Sequence, residues 1–300
     1  METVQYIWMD GELIPWDKAQ IHVLTHSLHY GSAVFEGLRF YKTDQGPAVF
    51  RLTDHLKRLF YSASILKMNM PFSLEQLKDA IHLLIRENAI SDGYIRPIAY
   101  FGYGKMGLNP LGAPPCIAIA LWPWGAYLGT DMVKVKISSY IRIHPKSLIT
   151  DAKISGHYVN SILPSLEAHE SGFDEAILLD FEGNVAEGPG ENVFVVKNGR
   201  LFTPQTGNIL PGITRDSVFV IAKDMGIPVE EKNISVSDLK NADELFFTGT
   251  ACEVTGIEAI DDNVIGDGTI FKITTKIRRT FLDAVKGKLE KYRSWLDVVI

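Results

Sequence analysis

The sequence predicts a mixed α/β protein (α/β or α+β) with two domains. Segments of alternating apolar residues, typical of strands, stand between segments with the apolar spacing of helices, and the chain shows no internal repeat. The chain has 300 residues, whereas a single hydrophobic core stops growing at roughly 250–300 residues. We therefore expect a smaller N-terminal domain over 1–121, a linker over 122–131 and a larger C-terminal domain over 132–300.

The composition is that of an ordinary globular protein. Hydrophobic residues make up 46% of the chain and charged residues 22%, which supplies enough apolar surface for a folded core. The net charge of −6 and the scattered basic residues give no reason to expect nucleic acid as a partner. The N-terminal residues lack the apolar run of a signal peptide, and the apolar stretch 116–128 is too short to cross a bilayer. With only two cysteines, these features indicate a cytoplasmic protein.

Strands and helices alternate through the first half of the chain. Ser73 and Gln76 have the spacing of a capping box at the start of a helix, and the Gly- and Pro-rich segment 104–114 predicts a loop long enough to act as a lid. The predicted strands are 36–41, 47–51, 94–102 and 115–121, and the predicted helices are 53–68 and 73–85.

The second half follows the same pattern. Asn198 and Gly199 predict a tight hairpin turn, and Gly226 predicts the C-terminal end of a helix. The predicted strands are 133–140, 175–180, 192–197, 200–203 and 244–250, and the predicted helices are 157–171 and 214–225.

Two segments have the character of anion-binding sites. Ile213 and Thr214 follow a Pro-Gly pair at a predicted helix start, where unpaired backbone N–H groups and the helix dipole favour a phosphate. Gly249 and Thr250 form a small, polar turn at a strand end. Each segment also has a purely structural explanation, as a helix cap and as a plain strand exit.

Three further residues are candidates for catalysis. Lys153 precedes small residues that would let a planar ligand approach the backbone, although most lysines are solvated surface residues. Glu187 begins a loop between two predicted strands, where it could pair with a cationic ring nitrogen or cap a turn. Tyr158 could donate a hydrogen bond to a ligand or lie in the core. The residues alone leave these alternatives open.

Other common active-site patterns do not occur in the sequence. It has no GxGxxG after a strand, no GxxxxGK[ST], no HExxH and no GxSxG. His26 and His29 have the spacing of a metal pair, but no nearby cysteine or carboxylate completes the ligand set, so we expect no metal.

Several motifs, taken together, resemble the class IV (fold type IV) aminotransferases. The resemblance extends over nearly the whole chain and is to the branched-chain amino acid aminotransferases, since YIRP and PWGAYLG distinguish these from D-amino acid aminotransferases and aminodeoxychorismate lyases. The motifs are HSLHYGSAVFEGLR (26–39), HLKRL (55–59), YIRP (94–97), PWGAYLG (123–129), AKISGHYVNS (152–161), AEGPGEN (186–192), LPGITR (210–215) and FTGTACE (247–253).

This resemblance implies a fold and a reaction. We expect a fold type IV enzyme with a β-barrel-like sheet in the C-terminal domain and pyridoxal 5′-phosphate (PLP) between the domains. The implied reaction is reversible amino transfer from L-leucine, L-isoleucine or L-valine to 2-oxoglutarate.

The resemblance also implies roles for individual residues. Lys153 matches the lysine that binds PLP covalently, Tyr158 the tyrosine at its phenolic oxygen and Glu187 the acid at its ring nitrogen. The implied residues around the phosphate are Arg58, Leu210, Gly212, Ile213, Thr214, Gly249 and Thr250. The implied substrate residues are Tyr30, Phe35, Tyr94, Arg96, Leu108, Trp124, Tyr127, Thr250 and Ala251.

One residue departs from the family pattern, and one loop implies an assembly. Pro189 stands where the family usually has a small flexible residue, and proline fixes φ and removes a donor. In the family, the loop that corresponds to 104–114 reaches the neighbouring subunit's site, so Leu108 would line a pocket in another copy. The resemblance thus implies a homodimer at least, with hexamers as a further possibility.

Two alternatives remain at this point. The same scaffold supports D-amino acid transamination or a PLP-dependent lyase, and a protein of another class would carry PLP without catalysing a reaction. Arg96 and the PWGAYLG segment favour the branched-chain transaminase.

Overall fold

The structure is a computed structural model that describes residues 2–125, 132–268 and 271–299. The chain divides into two compact units: the first contains 1–125, 152–156 and 284–300, and the second contains 126–151 and 157–283. Unlike the division predicted from the sequence, this grouping places 152–156 and 284–300 with the N-terminal residues. Backbone pairing explains both segments, since Val34 bridges to Ile154 and the strand 296–298 pairs with 48–50.

Helices and strands account for most of the described residues. The strands are β1 Tyr6–Met9, β2 Glu12–Pro15, β3 Ala33–Phe35, β4 Leu38–Thr43, β5 Gly46–Phe50, β6 Gly93–Phe101, β7 Pro115–Trp122, β8 Met132–Ile141, β9 Glu175–Leu179, β10 Val185–Glu187, β11 Asn192–Lys197, β12 Arg200–Thr203, β13 Val229–Glu231, β14 Glu244–Gly249, β15 Glu253–Ile260, β16 Asn263–Val264 and β17 Leu296–Val298. The helices are α1 His26–Tyr30, α2 Leu52–Ile65, α3 Leu74–Asn88, α4 Val159–Glu170, α5 Ile213–Asp224, α6 Val236–Lys240 and α7 Lys272–Val285.

The first unit is built on an antiparallel sheet. Its strand order is β17-β5-β4-β6-β7-β1-β2, and β3 pairs with β6 off this path. Helices α2 and α3 bury their apolar residues against the sheet, with Leu56, Leu59, Leu77 and Ile81 all fully buried in one core. The apolar spacing along these helices, at i, i+3 and i+4, is what directs one face of each toward the sheet.

The second unit has a mixed sheet of order β10-β9-β8-β15-β14-β11-β12-β13, with β16 paired to β15. The pairs β8–β9, β8–β15 and β12–β13 are parallel, and the others are antiparallel. Val133, Ile177, Val193 and Phe247 are fully buried in its core. Near-continuous apolar runs such as 193–196 fit strands that are covered on both faces.

Many predicted elements are confirmed. Strands β11 and β12 begin and end at the predicted residues, and Asn198 and Gly199 both have positive φ, as a tight hairpin turn requires. The capping box of α3 is present. The strand predicted over 36–41 is observed as β4, which begins at Leu38 and extends to Thr43. Gly37 lies just before it, where an added Cβ would lie 1.9 Å from the Tyr94 hydroxyl. None of the described helices combines the length and apolar character that a membrane span requires.

Candidate active site

The carboxylate of Glu187 lies buried at the end of β10, held by three donors of the second unit. Arg142 Nε donates to Oε1 at 2.6 Å, and Asn192 Nδ2 and the backbone N–H of Leu210 donate to Oε2 at 3.0 and 3.1 Å. Only 5% of Glu187 is exposed. Donors of this kind stabilise an ionised carboxylate in a fixed orientation.

Asn192 connects this carboxylate to the start of α5. Its Nδ2 also donates to the carbonyl of Leu210 at 2.9 Å, and its Oδ1 lies 2.0 Å from the position of a Cβ added to Gly212. Glycine is therefore required at 212, the N-cap residue of α5, where no side chain caps the helix. The backbone N–H groups of Ile213 and Thr214 at this helix start have the geometry of an anion site.

A second set of small residues follows β14. Thr248 pairs with Asn192 across the antiparallel ladder, so their side chains share one face of the sheet. The Thr248 hydroxyl is buried and has no hydrogen-bond partner among the described residues. At Gly249 an added Cβ would lie 3.1 Å from Cys252 Sγ, and Thr250 and Ala251 are half-buried. The strand end thus combines polar groups with little side-chain bulk.

Tyr158 ends the short 3-10 turn Ser155–Tyr158 and is the N-cap residue of α4, so the helix predicted from residue 157 begins two residues later, at Val159. Its side chain is half-buried. In the bend 188–190 next to Glu187, the N–H of Gly188 donates to the carbonyl of Glu191 at 2.7 Å. This hydrogen bond uses the N–H of Gly188, so the missing backbone N–H of Pro189 does not affect it.

Lys153 belongs to the first unit, where its backbone is fixed on both sides. Its N–H donates to Ser62 Oγ of α2 at 2.9 Å, and its carbonyl accepts from the N–H of Phe35 at 3.1 Å. The amine Nζ lies 5.0 Å from the centre of the Phe35 ring. These contacts fix the base of a half-buried lysine side chain.

Arg58 contacts a buried carboxylate of the same unit. Its Nε and Nη2 donate to Glu36 at 2.6 and 2.9 Å, and His55 Nδ1 lies 2.8 Å from the same carboxylate. Burial by itself raises the pKa of the Glu36 carboxyl, but the charge and hydrogen bonds of Arg58 and His55 outweigh burial and hold this pKa well below its usual range.

Four of the predicted substrate residues form one aromatic and cationic cluster in the first unit. The Arg96 guanidinium lies 4.8 Å from the Phe35 ring and 5.2 Å from the Tyr94 ring, and it donates to the Tyr94 hydroxyl at 3.1 Å. The rings of Tyr94 and Trp124 are 5.1 Å apart. Arg96 Nε is buried and has no partner among the described residues. The cluster offers apolar surface and a cationic donor.

The remaining predicted substrate residues have other surroundings. Tyr30 is 41% exposed and accepts a hydrogen bond from the N–H of Gly107 at 3.3 Å, in the predicted loop. Leu108 in that loop is 87% exposed. Tyr127 lies outside the described residues. His26 is buried, with Nδ1 2.7 Å from Ser32 Oγ and Nε2 2.7 Å from the Gly107 carbonyl, so its contacts hold the loop.

Comparison with known proteins decides the family. Residues 33–260, well over half of the chain, match the family described as amino-transferase class IV. The chain belongs to the class IV aminotransferase family. Among curated members of this family, a branched-chain-amino-acid aminotransferase of Pseudomonas aeruginosa is 45% identical over 98% of this chain and 97% of its own. One of Escherichia coli strain K12 is 42% identical over 99% and 98%.

Solved structures confirm the fold type IV prediction. A branched-chain amino acid aminotransferase of Escherichia coli is 41% identical, with a TM-score of 0.97, over 99% of this chain and 100% of its own. One of Thermoproteus uzoniensis, solved with norvaline, is 43% identical, with a TM-score of 0.95, over 99% and 100%. A further branched-chain amino acid aminotransferase, solved with pyridoxamine 5′-phosphate, is 44% identical, covers 100% of both chains and has a TM-score of 0.97. This chain therefore has the mixed α/β fold of the class IV aminotransferases.

Several residues of this class IV aminotransferase were not assigned from the sequence. Glu36, His55 and Asn192 lie inside the quoted motifs, but their spacing gave no indication of a partner. Arg142 lies outside every motif. A charged residue in the apolar strand pattern was the available signal for Glu36, because an ionised side chain is seldom buried unless it is paired.

Proposed function

We propose that this protein is a PLP-dependent branched-chain amino acid aminotransferase. It transfers the amino group reversibly from L-leucine, L-isoleucine or L-valine to 2-oxoglutarate, giving the branched-chain 2-oxo acid and L-glutamate. Curated relatives with this name are 42–45% identical over nearly the full chain. The observation that carries the proposal is the buried Glu187 carboxylate, fixed by Arg142 and joined through Asn192 to the uncapped start of α5.

The residues of both units fit PLP in chemical terms. Glu187 holds a proton on the ring nitrogen, and Tyr158 donates a hydrogen bond to the phenolic oxygen. When bound, PLP supplies the electron sink for the bond that breaks at the substrate Cα. The phosphate is bound by Arg58, by the N–H groups at the start of α5 and by Thr250. The further residues that shape this phosphate site are Leu210, Gly212, Ile213, Thr214 and Gly249.

Lys153 has two functions in this proposal. Its Nζ would hold the cofactor covalently. Its free amine would act as the general base and acid that moves the proton at the substrate Cα. The contacts of its backbone with Ser62 and Phe35 fix the base of the side chain that carries this amine.

The cluster around Arg96 suits two kinds of substrate. The rings of Phe35, Tyr94 and Trp124 pack against a branched aliphatic side chain. The buried Arg96 Nε, which lacks a partner among the described residues, is satisfied when it donates to the distal carboxylate of glutamate. Tyr30, Leu108, Tyr127 and Ala251 complete the substrate-binding set.

A homodimer is the assembly we propose. Val159, Ile162, Leu163 and Leu166 have helical i, i+3, i+4, i+7 spacing, and they expose 60%, 52%, 39% and 53% of their surface. Burial of this exposed apolar stripe on α4 against another surface is favourable, and a second copy of the chain presents the same stripe for packing. Light scattering on the purified protein tests this: the wild type should have the mass of a dimer, and a monomer would contradict the proposal. Leu166→Lys should lower the mass, and an unchanged dimer would show that the α4 stripe is not the interface. The cytoplasmic location stays a prediction from the sequence.

A panel of amino donors tests the activity. The enzyme is incubated with 2-oxoglutarate and, in separate reactions, L-leucine, L-isoleucine, L-valine and D-alanine; conversion of aminodeoxychorismate is measured alongside. We expect the branched-chain donors to react fastest. A preference for D-alanine or aminodeoxychorismate would replace the proposed activity by a related one.

A further inference from the structure

One face of α2 carries three polar side chains that organise the first unit's part of the site. His55, Arg58 and Ser62 have the i, i+3, i+7 spacing that places residues on one helical face. His55 and Arg58 contact Glu36, whereas Ser62 accepts from the backbone of Lys153 at 2.9 Å. Helix α2 thus fixes both Arg58, which is proposed to bind the phosphate, and the backbone of Lys153, which is proposed to bind the cofactor covalently.

Glu36 is at the centre of this arrangement. Its side chain is fully buried at 0% exposure. Oε1 accepts from Arg58 Nε at 2.6 Å, and Oε2 accepts from Arg58 Nη2 at 2.9 Å, so the pair is bidentate. A bidentate pair fixes the plane of the guanidinium as well as its position. A flexible arginine side chain thereby has its orientation set in advance.

His55 completes the carboxylate's set of donors. It is 1% exposed, and its Nδ1 lies 2.8 Å from Glu36 Oε2. Burial lowers the pKa of the imidazole below its usual value, against the opposing effect of the Glu36 carboxylate. Because an ionised carboxylate only accepts hydrogen bonds, Nδ1 carries the hydrogen and donates it to Glu36. His55 therefore fixes the Glu36 carboxylate, which in turn fixes the Arg58 guanidinium.

We propose that Glu36 and His55 are positioning residues, which orient the Arg58 guanidinium for the cofactor phosphate without contacting the phosphate themselves. This inference rests on the proposed function, in which Arg58 binds the phosphate of PLP. An arginine oriented before binding loses less conformational freedom when the phosphate arrives, so the affinity is higher.

Electrostatics alone predicts that Glu36 has the opposite effect on the affinity for phosphate. A carboxylate next to Arg58 competes with the phosphate for the same cation, and in that case its removal would strengthen binding. Two substitutions separate geometry from charge. Glu36→Asp keeps the charge and withdraws the carboxylate by one methylene. His55→Leu removes the donor to Glu36 and leaves the carboxylate–guanidinium pair in place.

The test measures how much the phosphate contributes to binding. The apo-protein is titrated with PLP and with pyridoxal, which lacks the phosphate, and the ratio of the pyridoxal Kd to the PLP Kd is compared between variants. Arg58→Met should lower the ratio because it removes the contact itself. We expect E36D and H55L each to lower the ratio about tenfold, the equivalent of about 1.4 kcal/mol.

Three controls make the result specific. His55→Asn keeps an N–H donor on the same carbon as Nδ1 and should retain the wild-type ratio. Glu244→Gln changes another buried carboxylate, which accepts from the N–H groups of Ile273 and Thr274 at 3.0 and 2.7 Å, and should leave the ratio unchanged. In the R58M background H55L should have no further effect, since its action passes through Arg58. Circular dichroism verifies that each variant is folded.

The outcomes distinguish this inference from the proposed function. A wild-type ratio in H55L and E36D, together with a lowered ratio in R58M, would overturn the inference and leave the function intact. A raised ratio in E36D would favour competition for the cation and would likewise overturn it. Wild-type protein that binds PLP no more tightly than pyridoxal would remove the basis of both.

Discussion

At the scale of single residues, charged side chains with fixed neighbours give the candidate site its chemistry. Glu187 is held by Arg142 and Asn192, and the Arg96 guanidinium lies against aromatic rings. A buried charge is stable only when it is paired or hydrogen-bonded, so each of these positions restricts which ligand fits beside it. The residue chemistry leads to the first three predictions.

Replacement of Lys153 should abolish turnover. Lys153→Ala removes the amine that is proposed to carry the proton at Cα, and PLP should then be held only by non-covalent contacts, with weaker binding. Lys57→Ala, which removes an exposed lysine of α2, is the matched control. Steady-state transamination assays measure the loss; near-normal turnover in K153A would contradict the assignment.

Arg96 should matter more for glutamate than for leucine. Arg96→Gln removes the charge that is proposed to pair with the distal carboxylate, and a charge-assisted hydrogen bond contributes about 1.5–3 kcal/mol. We expect the KM for 2-oxoglutarate to rise roughly tenfold or more, with a smaller change in the KM for leucine. Arg86→Gln, at an exposed position in α3, should change neither value. Equal effects on both substrates would mean that Arg96 does not distinguish them.

Acid should destabilise the first unit in part through Glu36. Its pKa lies well below the ordinary value of 4.5 in the folded state, so the stabilisation is fully present above that pH and is lost as the pH falls below it. The pKa of His55 is also lowered, so the free energy of unfolding decreases here too as the pH falls below 6.5. Glu36→Gln should be less stable than wild type at pH 7 and lose less between pH 7 and 4. Urea unfolding at both pH values measures this; identical pH dependence in both proteins would contradict it.

At the scale of elements, the starts and faces of helices position the site residues. The start of α5 provides backbone donors because Gly212 leaves it without a side-chain cap, whereas α3 begins with a complete capping box. The difference separates a helix start that is available for a ligand from one that serves stability. Local sequence predicted both starts, since Ser73 and Gln76 have fixed spacing and the Pro-Gly pair precedes α5.

The capping box of α3 should contribute measurably to stability. Ser73→Ala removes the acceptor for the N–H of Gln76 at 3.2 Å, and loss of such a cap costs about 1 kcal/mol. Glu87→Gln, at an exposed position on the same helix, is the control. Urea unfolding should show a loss for S73A alone. Stability equal to wild type would show that the box contributes nothing.

At the scale of the whole molecule, the sequence predicted the class and nine of the seventeen strands in the described residues, but the long-range pairings came only with the structure. The hairpin at Asn198 and Gly199 is local and was predicted, whereas the pairing of β17 with β5 joins residues 296–298 to residues 48–50, far apart in the sequence. The same limit applies to the site. Lys153 and Glu187 followed from the family resemblance, but Arg142 did not, because its partner is 45 positions away and no local pattern marks such a pair.

The most direct test of the central claim is the half-reaction of the PLP-loaded protein in the absence of a 2-oxo acid. L-leucine should convert the cofactor's visible absorbance to that of the pyridoxamine form, and L-glutamate should do the same, because one site serves both substrates. Addition of 2-oxoglutarate should then restore the first spectrum. A protein that holds PLP but shows no spectral change with either amino acid would be a carrier of the cofactor, and the proposed aminotransferase activity would be contradicted.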